Sequence, residues 1–149
     1  MKIDAGARAA YFDSSVLLKR YVQEQGSGSS LLLTRKHLII SAAIAPLEMR
    51  SALRRIEVDG GLSTKAFQAT LKRIQTEREK WDLVAISSEI LESAERITVD
   101  LNIRSLDAIH LACALACQNR LKRSLPFITA DIRQRDAAQH LGLDIISVE

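Results

Sequence analysis

Ser105-Leu106-Asp107-Ala108-Ile109-His110-Leu111-Ala112-Cys113-Ala114-Leu115-Ala116-Cys117 is the stretch whose reading decides the fold. At helical spacing Leu106, Ile109, His110, Cys113 and Cys117 share one face, and Leu111, Ala114 and Leu115 share another. A helix apolar almost all round belongs inside a core, not on a surface. Ser105 is the expected N-cap. That puts Asp107 in the first turn, where free N–H groups and the helix dipole favour negative charge. An acid at the mouth of a buried helix is either a satisfied capping carboxylate or a metal ligand, and this stretch alone leaves both open.

Outward from this helix, strands and helices alternate. Met1–Ala10 reads as a loosely held lead-in, and Tyr11-Phe12 as a short strand end. Asp13-Ser14-Ser15 then opens a helix carrying Val16, Leu17, Tyr21 and Val22, which Gly26-Ser27-Gly28 breaks. Ser29 or Ser30 starts a second helix, and Leu38-Ile39-Ile40 is a buried strand. Pro46 suits the first turn of a third helix through Glu48 and Leu53, stopped at Gly60-Gly61. A fourth helix runs from Ser63 or Thr64 to about Lys80, followed by a strand over Leu83–Ile86 and a helix over Ile90–Leu101. After the buried helix come a strand ending in Phe127-Ile128-Thr129, a helix over Ile132–Leu141 and an edge strand in the tail. This alternation predicts one domain over 1–149, an α/β protein built as a three-layer α/β/α sandwich with a central parallel sheet.

The chain has 149 residues, enough for one full core, and a net charge of +3. The charge permits an anionic partner without demanding one. No apolar run reaches membrane-spanning length and the N-terminus lacks a secretory segment, so a cytoplasmic address without membrane association is expected. Two cysteines, with no second Cys/His pair, exclude a zinc site and read as core hydrophobes.

Four acids stand at junctions instead of on polar helix faces. Asp13 follows the first strand, Glu48 lies in the first turn of the third helix, Asp107 opens the buried helix, and Asp131 ends the fourth strand. A parallel sheet points all its strand C-termini at one edge, where ligands bind. Carboxylates gathered there repel one another unless a cation lies between them. All-oxygen ligation suits Mg²⁺ or Mn²⁺, and such ions serve phosphodiester hydrolysis.

The blocks Tyr11-Phe12-Asp13-Ser14-Ser15-Val16-Leu17, Glu48 on its helix, Ser105-Leu106-Asp107-Ala108-Ile109-His110-Leu111-Ala112 and Phe127-Ile128-Thr129-Ala130-Asp131 resemble, in order, the signature blocks of a PIN domain. The set is most similar to the VapC-type toxin ribonucleases of toxin–antitoxin pairs, from about Tyr11 to the C-terminus. The resemblance implies a Mg²⁺- or Mn²⁺-dependent endoribonuclease, a homodimer, an RNA substrate and a cognate antitoxin. It makes Asp13, Glu48, Asp107 and Asp131 the metal-binding catalytic acids, with Ser14 and Thr129 as supporting hydroxyls. Two features depart from the pattern. About ten residues precede Tyr11, and Asp4 imitates a start but lacks the Ser-Ser-apolar opening. Asp136 competes with Asp131 for the last acid and ranks below it, being inside the last helix.

Arg104, beside the acidic mouth, is the leading RNA contact, followed by Arg20, Arg50 and Arg54; cations must offset the repulsion between four acids and a polyanion. His110 reads as a hydrogen-bonded core histidine ahead of a general base, and Trp81 as packing. Two other functions fit the layout less well. An aspartyl phosphoacceptor domain calls for an adjacent acidic pair at the first strand end, which is missing here. A non-catalytic RNA-binding module of the same fold should lack one or more of the acids.

Overall fold

The computed structural model describes residues 8–149. In chain order the elements are β1 (Ala9–Phe12), α1 (Ser14–Lys19), α2 (Ser27–Lys36), β2 (Leu38–Ala42), α3 (Ala45–Val58), α4 (Thr64–Glu77), β3 (Asp82–Val84), α5 (Ser88–Leu101), α6 (Ser105–Leu121), β4 (Phe127–Thr129), α7 (Ile132–His140) and β5 (Ile145–Ser147). The strands form one parallel sheet in the order β3-β2-β1-β4-β5.

Alternate side chains of the central strand serve opposite faces, as the pleat requires. Ala9 and Tyr11 join Ile40, Ala42 and Phe127 under α5, α6 and α7. Ala10 and Phe12 join Ile39 and Ile128 under α1, α3 and α4. The result is the α/β/α sandwich expected. Trp81 is buried in the second of these cores, and the tail strand β5 is an edge of the sheet.

Several boundaries differ from the sequence reading. Ala9 and Ala10 are buried members of β1, so the lead-in is shorter than Met1–Ala10; residues 1–7, Asp4 among them, lie outside the described residues. Helix α1 stops at Lys19, before Tyr21 and Val22. Gly26 begins α2 with φ of 84°, and a Cβ there would meet the Val148 side chain and the Glu149 carbonyl at 2.9 Å. Only glycine fits both the dihedral and the space. At α6 the N-cap is Arg104, not Ser105, and Leu106 is half exposed because the first turn stands at the rim of the sheet. Ala108, His110 to Ala114 and Cys117 are buried as read, while Ile109 and Leu115 are only partly covered and Ala116 is exposed.

Strand order reverses between β1 and β4, each of which starts a connection away from the other. Open parallel sheets bind ligands in the crevice beyond such a switch point. Asp13 follows β1 and Asp131 follows β4 directly into this crevice.

Candidate active site

A cleft of about 530 Å³ opens at this edge, and Asp13, Glu48, Asp107 and Asp131 all line it. Ser14, Ser15, Arg104, His110 and Gln134 complete its polar wall. Each acid stands at a helix N-terminus. Asp13 caps α1 and Asp131 caps α7, while Glu48 and Asp107 lie in the first turns of α3 and α6. Four sets of free N–H groups therefore face the cleft and favour negative charge there.

Asp13 is the most enclosed, at 4 % exposure. Its carboxylate accepts from Ser15 Oγ at 2.8 and 3.0 Å, from the Val16 N–H at 3.1 Å and from Thr129 Oγ1 at 2.9 Å. Burial raises its pKa above the ordinary value; the nearby His110 and the bonds from Ser15, Val16 and Thr129 act in the opposite direction. None of these hydrogen-bond donors carries a positive charge.

Thr129 Oγ1 also accepts from the Asp131 N–H at 3.0 Å and lies 3.0 Å from Gln134 Oε1. A hydroxyl has one proton, so Thr129 can serve Asp13 or Gln134 but not both. The buried Gln134 Nε2 has no partner. Turning the amide over lets Gln134 donate to Thr129, and Thr129 then keeps its proton for Asp13.

Glu48 reaches His110, whose Nε2 lies 2.6 Å from Glu48 Oε1. Asp107 and Asp131 share Arg104, at 3.2 Å from Nε and 3.8 Å from Nη2. The guanidinium is 72 % exposed, so these are rim contacts of small energy.

The structure thus brings all four acids and Arg104 to one cleft. It assigns the hydroxyl contact on Asp13 to Ser15, one residue beyond the expected Ser14, which lines the wall. The extended backbone of Asp13 aims its side chain back at the first turn, where Ser15 and the Val16 N–H meet it. Arg20 is not at the cleft: it is bound to Glu77 at 3.0 Å and to Thr34 at 2.9 Å. Arg54 pairs with Glu57, and Arg50 lines a separate groove between α3 and α4 with Arg78. Asp136 is exposed, paired with Arg135, and does not line the cleft. Sequence reasoning missed Ser15, Gln134 and the tie from His110 to Glu48. The three-residue offset of His110 from Asp107, which puts both on one side of α6, was the available signal.

Among the described residues no three acids, histidines or cysteines converge tightly enough to hold a metal ion as they stand. The donor chemistry nevertheless fits a hard divalent cation. The acids offer only carboxylate oxygens, the enclosed Asp13 has no cationic hydrogen-bond partner, and the charge facing Asp107 and Asp131 comes from an exposed arginine that can move aside.

A parallel α/β/α sandwich with an acid-lined cleft at its switch point is an architecture suited to phosphoryl chemistry. The sequence profile of the PIN domain matches residues 10–139, and the chain belongs to the PIN domain family, a family of nucleases. No curated protein matches the sequence. Its fold is similar to that of FitAcB from Neisseria gonorrhoeae, with TM-score 0.67 and 14 % identity over 93 % of this chain and 96 % of that one. A toxin–antitoxin complex from Klebsiella pneumoniae gives 0.65 at 18 % identity, covering 95 % and 98 %. VapBC2 from Rickettsia felis, bound to a DNA fragment from its promoter, gives 0.65 at 10 % identity, covering 95 % and 99 %. At such identities the likeness is one of fold. Among the described residues no helix is long and apolar enough to cross a membrane.

Proposed function

We propose that this chain is a Mg²⁺- or Mn²⁺-dependent endoribonuclease, the toxin of a toxin–antitoxin pair. In this reading it is a single domain over 1–149, acts as a cytoplasmic homodimer and is restrained by a cognate antitoxin. The observation that carries the reading is the meeting of Asp13, Glu48 and Asp131, from three strand-to-helix junctions, with Asp107, from the turn between α5 and α6, in one cleft. The Klebsiella neighbour, described as a toxin–antitoxin complex, supports the biological role.

Asp13, Glu48, Asp107 and Asp131 would hold the metal. When bound, a hard divalent ion supplies an activated water and polarises a phosphoryl oxygen. The remaining work belongs to the chain. Ser15, the Val16 N–H and Thr129 fix both oxygens of Asp13. Gln134 steadies Thr129 from behind. Arg104, exposed at the rim beside Asp107 and Asp131, would offer its guanidinium to a phosphate of the substrate. Fixed groups of this kind reduce the reorganisation required at the moment of reaction.

The test is cleavage of cellular RNA by the purified chain with Mg²⁺ or Mn²⁺, with fragment ends mapped. Products should carry 5′-phosphate and 3′-hydroxyl ends. Asp13→Asn and Asp107→Asn should abolish cleavage and leave the circular dichroism spectrum unchanged. Full activity in either variant refutes the reading.

A further inference from the structure

Glu48 is held by a buried support reaching it from the far side of the sheet's central strand. His110 is 1 % exposed, and its Nε2 touches Glu48 Oε1 at 2.6 Å while its Nδ1 lies 2.9 Å from the Tyr11 hydroxyl. An ionised carboxylate only accepts hydrogen bonds, so Nε2 must carry a proton. A neutral imidazole then has its lone pair on Nδ1, and Tyr11 is placed to donate to it.

Tyr11 is itself enclosed on all sides. It is fully buried in β1, two residues before Asp13, and stacks on Phe127 with ring centroids 5.4 Å apart and planes 7° apart. A neutral phenol hydroxyl donates to a bare imidazole nitrogen, and 2.9 Å is the distance for it. Glu48 Oε2, by contrast, has no hydrogen-bond partner among the described residues.

We propose that Tyr11 and His110 are positioning residues that lock the imidazole as its Nε2–H tautomer, occupy Glu48 Oε1, and leave Oε2 alone to face the cation. The inference rests on the metal-site reading above and adds how one ligand is oriented. Carboxylate ligands are commonly held by hydrogen bonds from beyond the metal's own contacts, and removing such a partner typically costs about 10–100-fold in metal affinity. A tie that served the core alone would move the melting point and leave metal affinity unchanged.

The experiment measures Mn²⁺ binding to the metal-stripped chain by calorimetry and by the loss of free-ion electron paramagnetic resonance signal, in wild type, Glu48→Gln, His110→Leu, His110→Gln and Tyr11→Phe. The ring nitrogens of His110 are followed by ¹⁵N spectroscopy. His110→Leu should weaken Mn²⁺ binding by about 10–100-fold. His110→Gln, which keeps a donor for Glu48 and an acceptor for Tyr11, should restore most of it. Wild-type spectra should show Nε2 protonated and Nδ1 bare, with the Nδ1 resonance moving in Tyr11→Phe. Wild-type affinity in a folded His110→Leu, alongside weakened binding in Glu48→Gln, overturns this inference and spares the metal site. An Nδ1–H tautomer in the wild type overturns it too, even where His110→Leu does not fold. No Mn²⁺ binding by the wild type, or an unchanged Glu48→Gln, overturns the metal-site reading and this inference with it.

Discussion

Asp13→Asn should make the metal-free protein more stable and the metal-loaded protein less so. Asp13 is 4 % exposed, and an enclosed carboxylate carries a desolvation penalty of several kcal/mol. Against it stand the bonds from Ser15, Val16 and Thr129, each worth about 1.5–3 kcal/mol to a charged acceptor. The two contributions nearly cancel, and the raised pKa shows that burial prevails. An acid whose folded pKa is raised contributes stability below its ordinary value of 3.8, and that stability is lost as pH rises through the folded value. At pH 7 the charge is therefore a net cost, on the order of 1 kcal/mol. Asparagine keeps the cap on the Val16 N–H, and its NH₂ can donate to Thr129, whose proton then turns to Gln134. For a chain of this length, 1 kcal/mol moves the melting point by about 2–4 °C. Metal-free Asp13→Asn should melt that much higher than wild type at pH 7, with the gap closing as pH falls towards 3.8. Mn²⁺ at a hundred times its dissociation constant should add about 2.7 kcal/mol to the wild type, roughly 5–11 °C, and nothing to the variant. Calorimetric melts with chelator and with Mn²⁺ measure all four states. A variant that melts below wild type in chelator at pH 7, or shows the wild-type Mn²⁺ shift, refutes the reasoning.

Arg104→Ala should act with two signs. It frees Asp107 and Asp131, tightening Mn²⁺ binding by no more than about fivefold, and raises KM for RNA; an unchanged KM removes Arg104 from the substrate surface. Glu77, bonded by Tyr21, Arg20 and Arg73, has its pKa lowered to about 2, although burial alone would raise it. Its stabilisation is present above the ordinary 4.5 and lost as pH falls through about 2. Glu77→Gln should thus lower the melting point at pH 7 and converge with wild type near pH 2, and a pH-independent gap contradicts this. Burial pushes Cys113 to about 12 and Cys117 to about 11. Neither should react with a disulfide reagent at pH 8 until the chain unfolds, and rapid labelling of the native protein would contradict that burial.

What the chain discloses about itself divides by the range of the contact. The acids were legible because each stands at a junction with a local signature: a carboxylate directly after an apolar run, or in the first turn of a helix. A parallel sheet then sends the three strand-end junctions to one edge, and the turn between α5 and α6 brings Asp107 to the same rim. The buried helix was legible for the same reason, since its apolar periodicity is local. That Arg20 lies away from the cleft was not legible, because its partner Glu77 is 57 residues away and nothing near Lys19-Arg20 distinguishes a committed guanidinium from a free one. The tie between Glu48 and His110 spans 62 residues, and its one local trace is the three-residue offset of His110 from Asp107. Leu106 failed differently: helical spacing describes a face but not where along its axis a helix leaves the core. Leu47, Leu106 and Ile132 are all exposed, at 68, 49 and 65 %, and each adjoins one of the acids Glu48, Asp107 and Asp131. The helix turns that deliver charge to the cleft are the ones the sandwich leaves uncovered, so the apolar pattern of a sequence is least reliable at the edge where the chemistry gathers.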